Sequence, residues 1–381
     1  MAQVGELTID LATLDNNWRS LRAYVNLGSA GARREVSAVV KADAYGLGVA
    51  PVARALYQEG CRTFFVANLS EAVELSQQLP GDRVIYTLQG FDSGQELEFV
   101  RHDIRPVIIS LVMLERWIAC DFKGRPAFAI KVNSGMNRLG LDEKEFLGFL
   151  HKCTDNYVGL NVSLVLSHLA CADEPDHPMN SSQLKRFEAI VGRCRHVKAF
   201  EAARFSLANS AGCFLGEEYL FDMVRVGIAM YSGTLGDKQT PSASSLLCPV
   251  SLDLPIIQIR RVSAGECVGY GSSYLVKQDT IIATIGGGYS DGLFRIMGGK
   301  AVVYCDGRAV PVVGRVSMDS FAVDLGLVGE SSLSVVPHVS VFHSACSLIA
   351  FAQASKTITY ELLTSLGLRY KRRYMASPGG V

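Results

Sequence analysis

Apolar positions along the first part of the chain come in two alternating rhythms. Short, nearly unbroken runs such as 36–40, apolar apart from Ser37, read as strands buried on both faces. Between them, apolar residues recur at helical spacing, as in Leu14, Trp18, Leu21 and Val25. Residues 5–11 alternate as a short opening strand, and Asp10 or Thr13 is placed to cap the helix that follows. Further strands are expected at 62–67, 83–87, 104–109, 127–132, 158–168, 204–208 and 223–229, and helices at 49–59, 70–78, 111–118, 142–153 and 183–194. Counted from the 36–40 run, eight strands spread over about two hundred residues have the rhythm of a (β/α)8 barrel. A doubly wound open sheet is the alternative, but no G-x-G-x-x-G follows the first strand, and Y-G-L-G is too short for a dinucleotide loop.

After Tyr231 the pattern changes. A polar stretch at 232–245 reads as a linker, and short β-type runs follow at 250–262, 280–285, 301–304, 309–313, 320–323 and 334–342, separated by Gly and Asp. A last helical pattern lies within 348–366. The expected fold class is therefore α/β: an N-terminal (β/α)8 barrel over 1–234 and a C-terminal mainly β domain over 235–381.

In a barrel of this type chemistry gathers at the carboxyl ends of the strands. Five predicted ends carry unusual residues: Lys41 with Tyr45; Lys131 with Arg138 beyond it; His168; Asn209 with Ser210; and Arg225 with Gly227. Each has an ordinary account taken singly: a solvated lysine, a rim histidine, a helix-capping serine. Together they describe a site for an anionic ligand, with Ser210 and the amides of Gly227 and Ile228 suited to a phosphate.

Composition narrows the function without naming it. The 37 basic residues balance 37 acidic ones, and apart from the short run 371–373 no basic block suggests nucleic acid. The ten cysteines show no C-x-x-C pair or zinc-type Cys/His spacing, so reduced thiols in a cytoplasmic protein are expected. Neither a signal-peptide pattern nor an apolar run of about 18 residues is present. In the C-terminal half, Tyr270 in GYGSSY, Tyr289 in GGGYSDG and Met318 in GRVSMD stand in glycine-flanked segments that read as ordinary turns.

These segments also carry a resemblance. VVKADAYGLG, KVNSGMNRLG, LSHLACADE, ANSAG, FDMVRVGIAMY, GYGSSY, GYSDG, GRVSMD and TITYEL occur in the order in which the alanine racemases carry their motifs, across most of the chain. The resemblance implies a pyridoxal 5'-phosphate enzyme in which the first strand joins the C-terminal domain. It implies that Lys41 forms the Schiff base, that Tyr45, Ser210, Gly227, Ile228 and Tyr360 bind the cofactor phosphate, that His168 packs beside the ring, and that Arg225 faces the ring nitrogen. Arg138 would contact cofactor and substrate. Lys41 and Tyr270 would be the two bases, with Tyr270 and the Met318 backbone supplied by the partner subunit of a homodimer and Tyr289 near the substrate. Lys131 would carry a carbamate that positions Arg138. D-Alanine for cell-wall precursors is the implied product; a racemase of another small amino acid such as serine, or a non-catalytic carrier of the same cofactor, is the alternative. The chain departs from the family where Asn133-Ser134-Gly135 replaces D-T-G and where Ser317 replaces a frequent cysteine, and nothing is implied by the segment LRYKRRY.

Overall fold

The structure is a computed structural model that describes residues 5–27, 33–120, 122–155, 160–233, 246–328 and 337–376. Two compact units are present, one formed by Trp18–Ala44 and Gly48–Ala229, the other by Met1–Asn17, Tyr45–Leu47 and Met230–Val381.

After the opening strand β1 (Glu6–Asp10), the first of these units contains eight parallel strands: β2 (Glu35–Val39), β3 (Thr63–Val66), β4 (Val84–Thr87), β5 (Ile104–Ile108), β6 (Phe128–Lys131), β7 (Val162–Leu166), β8 (Arg204–Ser206) and β9 (Met223–Val226). From β2 to β8 each pairs with the next in sequence, and β2 pairs with β9. The ring closes between β8 and β9, where Asp222 N–H donates to the Phe205 carbonyl at 3.1 Å and the Ser206 hydroxyl to the Met223 carbonyl at 2.6 Å. Phe64, Phe65 and Val66 of β3 have no exposed surface, as strands covered on both faces require. The helices that follow β3 and β5 start at side-chain caps: the Asn68 side chain accepts from Glu71 N–H at 3.1 Å, and Ser110 accepts from Met113 N–H at 3.3 Å.

The other unit is built on one long strand, β10 (Val250–Val262). It is followed by the two-residue strands β11 (Cys267–Val268) and β12 (Tyr274–Leu275), then β13 (Thr280–Gly286), β14 (Val302–Cys305), β15 (Arg308–Val313), β16 (Ser320–Asp324), β17 (His338–Phe342) and β18 (Lys371–Met375). β10 pairs with both β13 and β17, so the order β10-β13-β16-β15-β14-β17 returns to its start. On the other flank β1 pairs antiparallel with β10 and parallel with β18, burying Leu7 and Ile9.

Several expectations need correcting. The run 223–229 is not one strand: β9 stops at Val226, and Ile228–Ser232 is helical, because an apolar run continuing through Gly227 has no period that separates the two states. The pattern within 348–366 is two helices, Ala345–Ala354 and Thr359–Ser365, with Lys356 at φ 55° between them. The helix Glu96–Arg101 and the strand β18 have no counterpart among the predicted elements. Of the expected linker, 234–245 lies outside the described residues, as do 334–336 of the run leading to β17 and 158–159 of the run expected as strand 158–168.

Candidate active site

The barrel unit brings its unusual strand-end residues to one rim. Lys41 stands two residues past β2, Lys131 ends β6, His168 follows β7, Ser210 lies beyond β8, and Arg225 is inside β9. Arg138 is exposed, on the loop after β6. That loop is built around Asn133, whose Oδ1 accepts from Gly135 and Asn137 N–H, both at 3.1 Å, and whose Nδ2 donates to Asp142 Oδ1 at 3.0 Å. The asparagine thus supplies the accepting oxygen that an aspartate would supply, so this departure leaves the loop intact.

The electrostatics are strongly one-sided. Lys131 is 6% exposed, and burial, with Arg225, Arg138 and Lys41 nearby, pushes its ammonium down to about 8. Burial also lowers the Lys41 pKa, helped by Arg138 and opposed by Glu71. Arg225 is buried and pushed down to about 10, which still leaves it charged at neutral pH. Its guanidinium donates to the carbonyls of Ser206 at 3.0 Å and Ser167 at 2.5 Å, and lies 3.4 Å from His168 Nδ1. His168 is held well below its ordinary value, first by burial and then by Arg225, so its ring is neutral at pH 7. Arginine can only donate, so Nδ1 accepts and the ring proton sits on Nε2. Among the described residues none of these cations forms an ion pair, so the rim has an excess of positive charge suited to an anion.

Ser210 is buried, and its oxygen accepts from the N–H groups of Gly227 at 2.9 Å and Ala229 at 3.4 Å. Those bonds leave the hydroxyl proton available to an incoming oxyanion. The Gly227 amide is therefore directed first at Ser210.

The segment after Lys41 has an unexpected conformation. Ala42, Asp43, Ala44 and Tyr45 all have φ between 52° and 59°, and Gly46 follows at 81°, so the chain makes a left-handed turn. Each non-glycine residue held this way costs about 1–2 kcal/mol, so the surroundings must impose it. Asp43 accepts from Val49 N–H at 2.6 Å, and Glu71 accepts from Ala42 N–H at 3.0 Å and Ala67 N–H at 2.7 Å. Within the other unit, Arg372 Nη2 donates to the Gly46 carbonyl at 3.0 Å and the Tyr374 hydroxyl to the Leu47 carbonyl at 2.9 Å. A side chain at Gly46 would meet the Leu363 carbonyl at 2.6 Å. In that same unit the Tyr45 ring lies 4.7 Å from Tyr231 and 6.1 Å from Tyr360, and burial raises its phenol pKa.

Tyr270 lies in the turn between β11 and β12 and is 71% exposed; Tyr289 and Met318 are 43% and 54% exposed. These three belong to the unit built on β10, and the cationic rim to the barrel unit.

Sequence reading missed the residues that hold the rim. Gln183 is fully buried; its Oε1 accepts from Ala170 N–H at 2.8 Å, and its Nε2 donates to the His168 carbonyl at 2.8 Å and the Ser134 hydroxyl at 3.1 Å. A lone glutamine inside an amphipathic helix gives no signal of such a role. Gln183→Leu takes this partner from the Ala170 N–H and the His168 carbonyl, while the Ser134 hydroxyl keeps its bond to Ser167 at 2.7 Å, so the urea-unfolding free energy is expected to fall by about 1–3 kcal/mol.

A (β/α)8 barrel with lysines, arginines and a neutral histidine at its carboxyl rim is the arrangement of a barrel enzyme suited to an anionic ligand beside an amine of lowered pKa. The comparisons give the particular family. Residues 9–234 match the model of the alanine racemase N-terminal domain and residues 249–374 that of the alanine racemase C-terminal domain. The chain is 40% identical to the alanine racemase of Rhodospirillum rubrum, over 98% of this chain and 96% of that one, and 38% identical to that of Brucella abortus, over 100% and 96%. The crystal structure of the Bartonella henselae alanine racemase, which has covalently bound pyridoxal phosphate, superposes with a TM-score of 0.86 at 35% identity, covering 98% of this chain and 100% of that one. The chain belongs to the alanine racemase family, a family of isomerases.

Proposed function

We propose that the protein is a pyridoxal-phosphate-dependent racemase that interconverts L- and D-alanine. The observation that carries this reading is the unbalanced cluster of Lys41, Lys131, Arg138 and Arg225 around a neutral His168, on a chain with both family domains. Pyridoxal phosphate supplies a carbonyl that an amine can capture and a conjugated ring that draws electrons from the substrate Cα. The residues fit it: Lys41, with its lowered pKa, is the attachment point; Ser210 offers its hydroxyl proton to the phosphate, with Gly227, Ile228, Tyr45 and Tyr360 as the other binders; His168 flanks the ring.

Arg225 would face the ring nitrogen and keep its own proton there, since a group pushed only to about 10 does not release it at pH 7. Arg225 would thereby leave the ring nitrogen unprotonated and restrain its pull on electrons, which favours simple return of the proton over side reactions. Racemisation requires a proton donor and acceptor on each face of Cα. Lys41 serves the face that handles the D-isomer proton, and Tyr270 from a second copy of the chain serves the other. Arg138 and the Met318 backbone of that second copy hold the substrate carboxylate, beside Tyr289. The protein thus works as a homodimer with shared sites, its domains dividing near 234/235, and supplies D-alanine for cell-wall precursors in the cytoplasm. Among the described residues no helix is long and apolar enough to cross a membrane. A racemisation assay across several L-amino acids tests the reading: conversion of L-alanine well above L-serine supports it, and no conversion of either refutes it.

Lys131 is the carbamate site. Its amine must be neutral to take up CO2, forming an N–C bond and releasing a proton, and the resulting anion offsets Arg138. With the ammonium pushed down to about 8, the neutral fraction grows as pH rises through that value. Carbamate occupancy, read by 13C NMR after exposure to 13C-bicarbonate, is expected to rise between about pH 7 and 9 and to vanish in Lys131→Ala.

A further inference from the structure

Arg369 lies between the helix Thr359–Ser365 and β18, in the C-terminal segment to which no role has been given. Its guanidinium joins three side chains. Nε donates to Asp291 Oδ1 at 2.5 Å and Nη2 to Oδ2 at 2.7 Å, Nη1 donates to Asp319 Oδ1 at 2.8 Å, and Nη2 also reaches the Ser290 hydroxyl. Asp291 is 4% exposed and takes the Gly288 N–H at 2.9 Å. A carboxylate so buried needs a partner of this kind, and the two-point contact fixes its orientation.

From there the contacts run to Met318. The Ser290 hydroxyl donates to the Met318 carbonyl at 2.7 Å, and Ser290 N–H donates to the same oxygen at 3.1 Å. Tyr289 N–H donates to the Ser317 carbonyl at 3.1 Å, and Gly287 N–H to the Asp319 carbonyl at 2.9 Å. The approach is so close that a side chain on Gly288 would lie 2.2 Å from the Met318 oxygen. Both peptide planes flanking Met318 are therefore held by segment 287–291. A trans peptide places N–H opposite its carbonyl, so fixing the Ser317 carbonyl also fixes the direction of Met318 N–H. Among the described residues that N–H has no acceptor, and Met318 is half exposed.

We propose that Arg369 is a positioning residue for substrate binding: through Asp291, Ser290 and Asp319 it holds the Met318 amide and Tyr289 in the orientation that receives the substrate carboxylate. This rests on the proposed role of Met318 as a carboxylate donor and adds the device that aims it. Arg369 itself touches neither cofactor nor substrate.

The test uses the cofactor-loaded dimer. Arg369→Ala is expected to raise KM for both alanine isomers about ten-fold, with a smaller change in kcat and unaltered cofactor absorbance, and to weaken inhibition by propionate by a similar factor. Propionate has the carboxylate and lacks the amine, so it reads the anion contact alone. Arg369→Lys is expected to restore part of both effects. Ser290→Ala keeps the Arg369–Asp291 pair and removes one bond to Met318; it should raise KM a few-fold (~3) and add little on top of Arg369→Ala, because both lie on one relay. Unchanged KM and propionate inhibition in Ser290→Ala, or in a folded Arg369→Ala, overturns the proposal. Arg138→Ala then separates the causes. If it abolishes propionate inhibition while the relay variants do not, the carboxylate site stands and the aiming role is lost; if propionate inhibition is indifferent to all three, the carboxylate site is misassigned as well.

Discussion

Lys41→Ala is expected to give a folded protein that is colourless when purified and has lost at least about 10⁴-fold in racemisation of either alanine isomer. In the proposed mechanism two functions vanish with one amine: the covalent hold on the cofactor and the proton carrier on one face of the substrate. Burial, together with Arg138, lowers the Lys41 pKa, so at working pH a larger share of the side chain is the nucleophilic amine than on an exposed lysine. Far-ultraviolet circular dichroism should be unchanged, because the Lys41 side chain makes no hydrogen bond or ion pair among the described residues and the left-handed turn beyond it is held by Asp43, Glu71, Arg372 and Tyr374. A variant that kept its colour would move the attachment elsewhere, with Lys131 as the other amine at the rim.

Tyr270→Phe removes a single oxygen from a side chain that is 71% exposed, so stability should stay within about 0.5 kcal/mol of the parent. The purified variant should remain yellow. Racemisation is expected to fall by about 10²–10⁴-fold, the usual worth of one positioned acid–base group. Incubation in deuterated water resolves the faces: exchange of the L-alanine α-proton should collapse, and exchange of the D-alanine α-proton, served by Lys41, should fall less. Equal losses from both isomers would argue that Tyr270 positions substrate and carries no proton.

How much of this was legible in the sequence varies with the physics involved. The presence of eight barrel strands was, because strands buried on both faces must be apolar runs, and 62–67 and 104–109 each lie within one residue of the observed bounds at either end, whereas 158–168 and 223–229 overran the strands Val162–Leu166 and Met223–Val226. β18 was not: Lys371, Arg372 and Arg373 pair with β1 through backbone bonds, and side chains so exposed give no hydrophobic alternation. The left-handed turn was equally silent, since Ala-Asp-Ala-Tyr has no local preference for positive φ and is forced there by contacts distant in sequence. At the rim, the charged residues could be read from their places after strands. Gln183, Glu71 and the serines that orient them could not, because a buried polar side chain is distinguished by its partners and not by its residue type. Ser317, noted as a departure, acts through its backbone carbonyl, and a cysteine would present the same group.

The claim that joins these parts is that each catalytic site draws Lys41 from one chain and Tyr270 from another, and mixing two inactive proteins tests it most directly. Lys41→Ala and Tyr270→Phe, each nearly inactive alone, are unfolded and refolded together with cofactor and assayed for racemisation of L-alanine. In a mixed dimer one site lacks both groups and the other has both, so recovery of about one quarter of the parent activity is expected after random pairing. If both bases came from the same chain, every site in the mixture would lack one of them, and activity no higher than the average of the two variants would contradict the account.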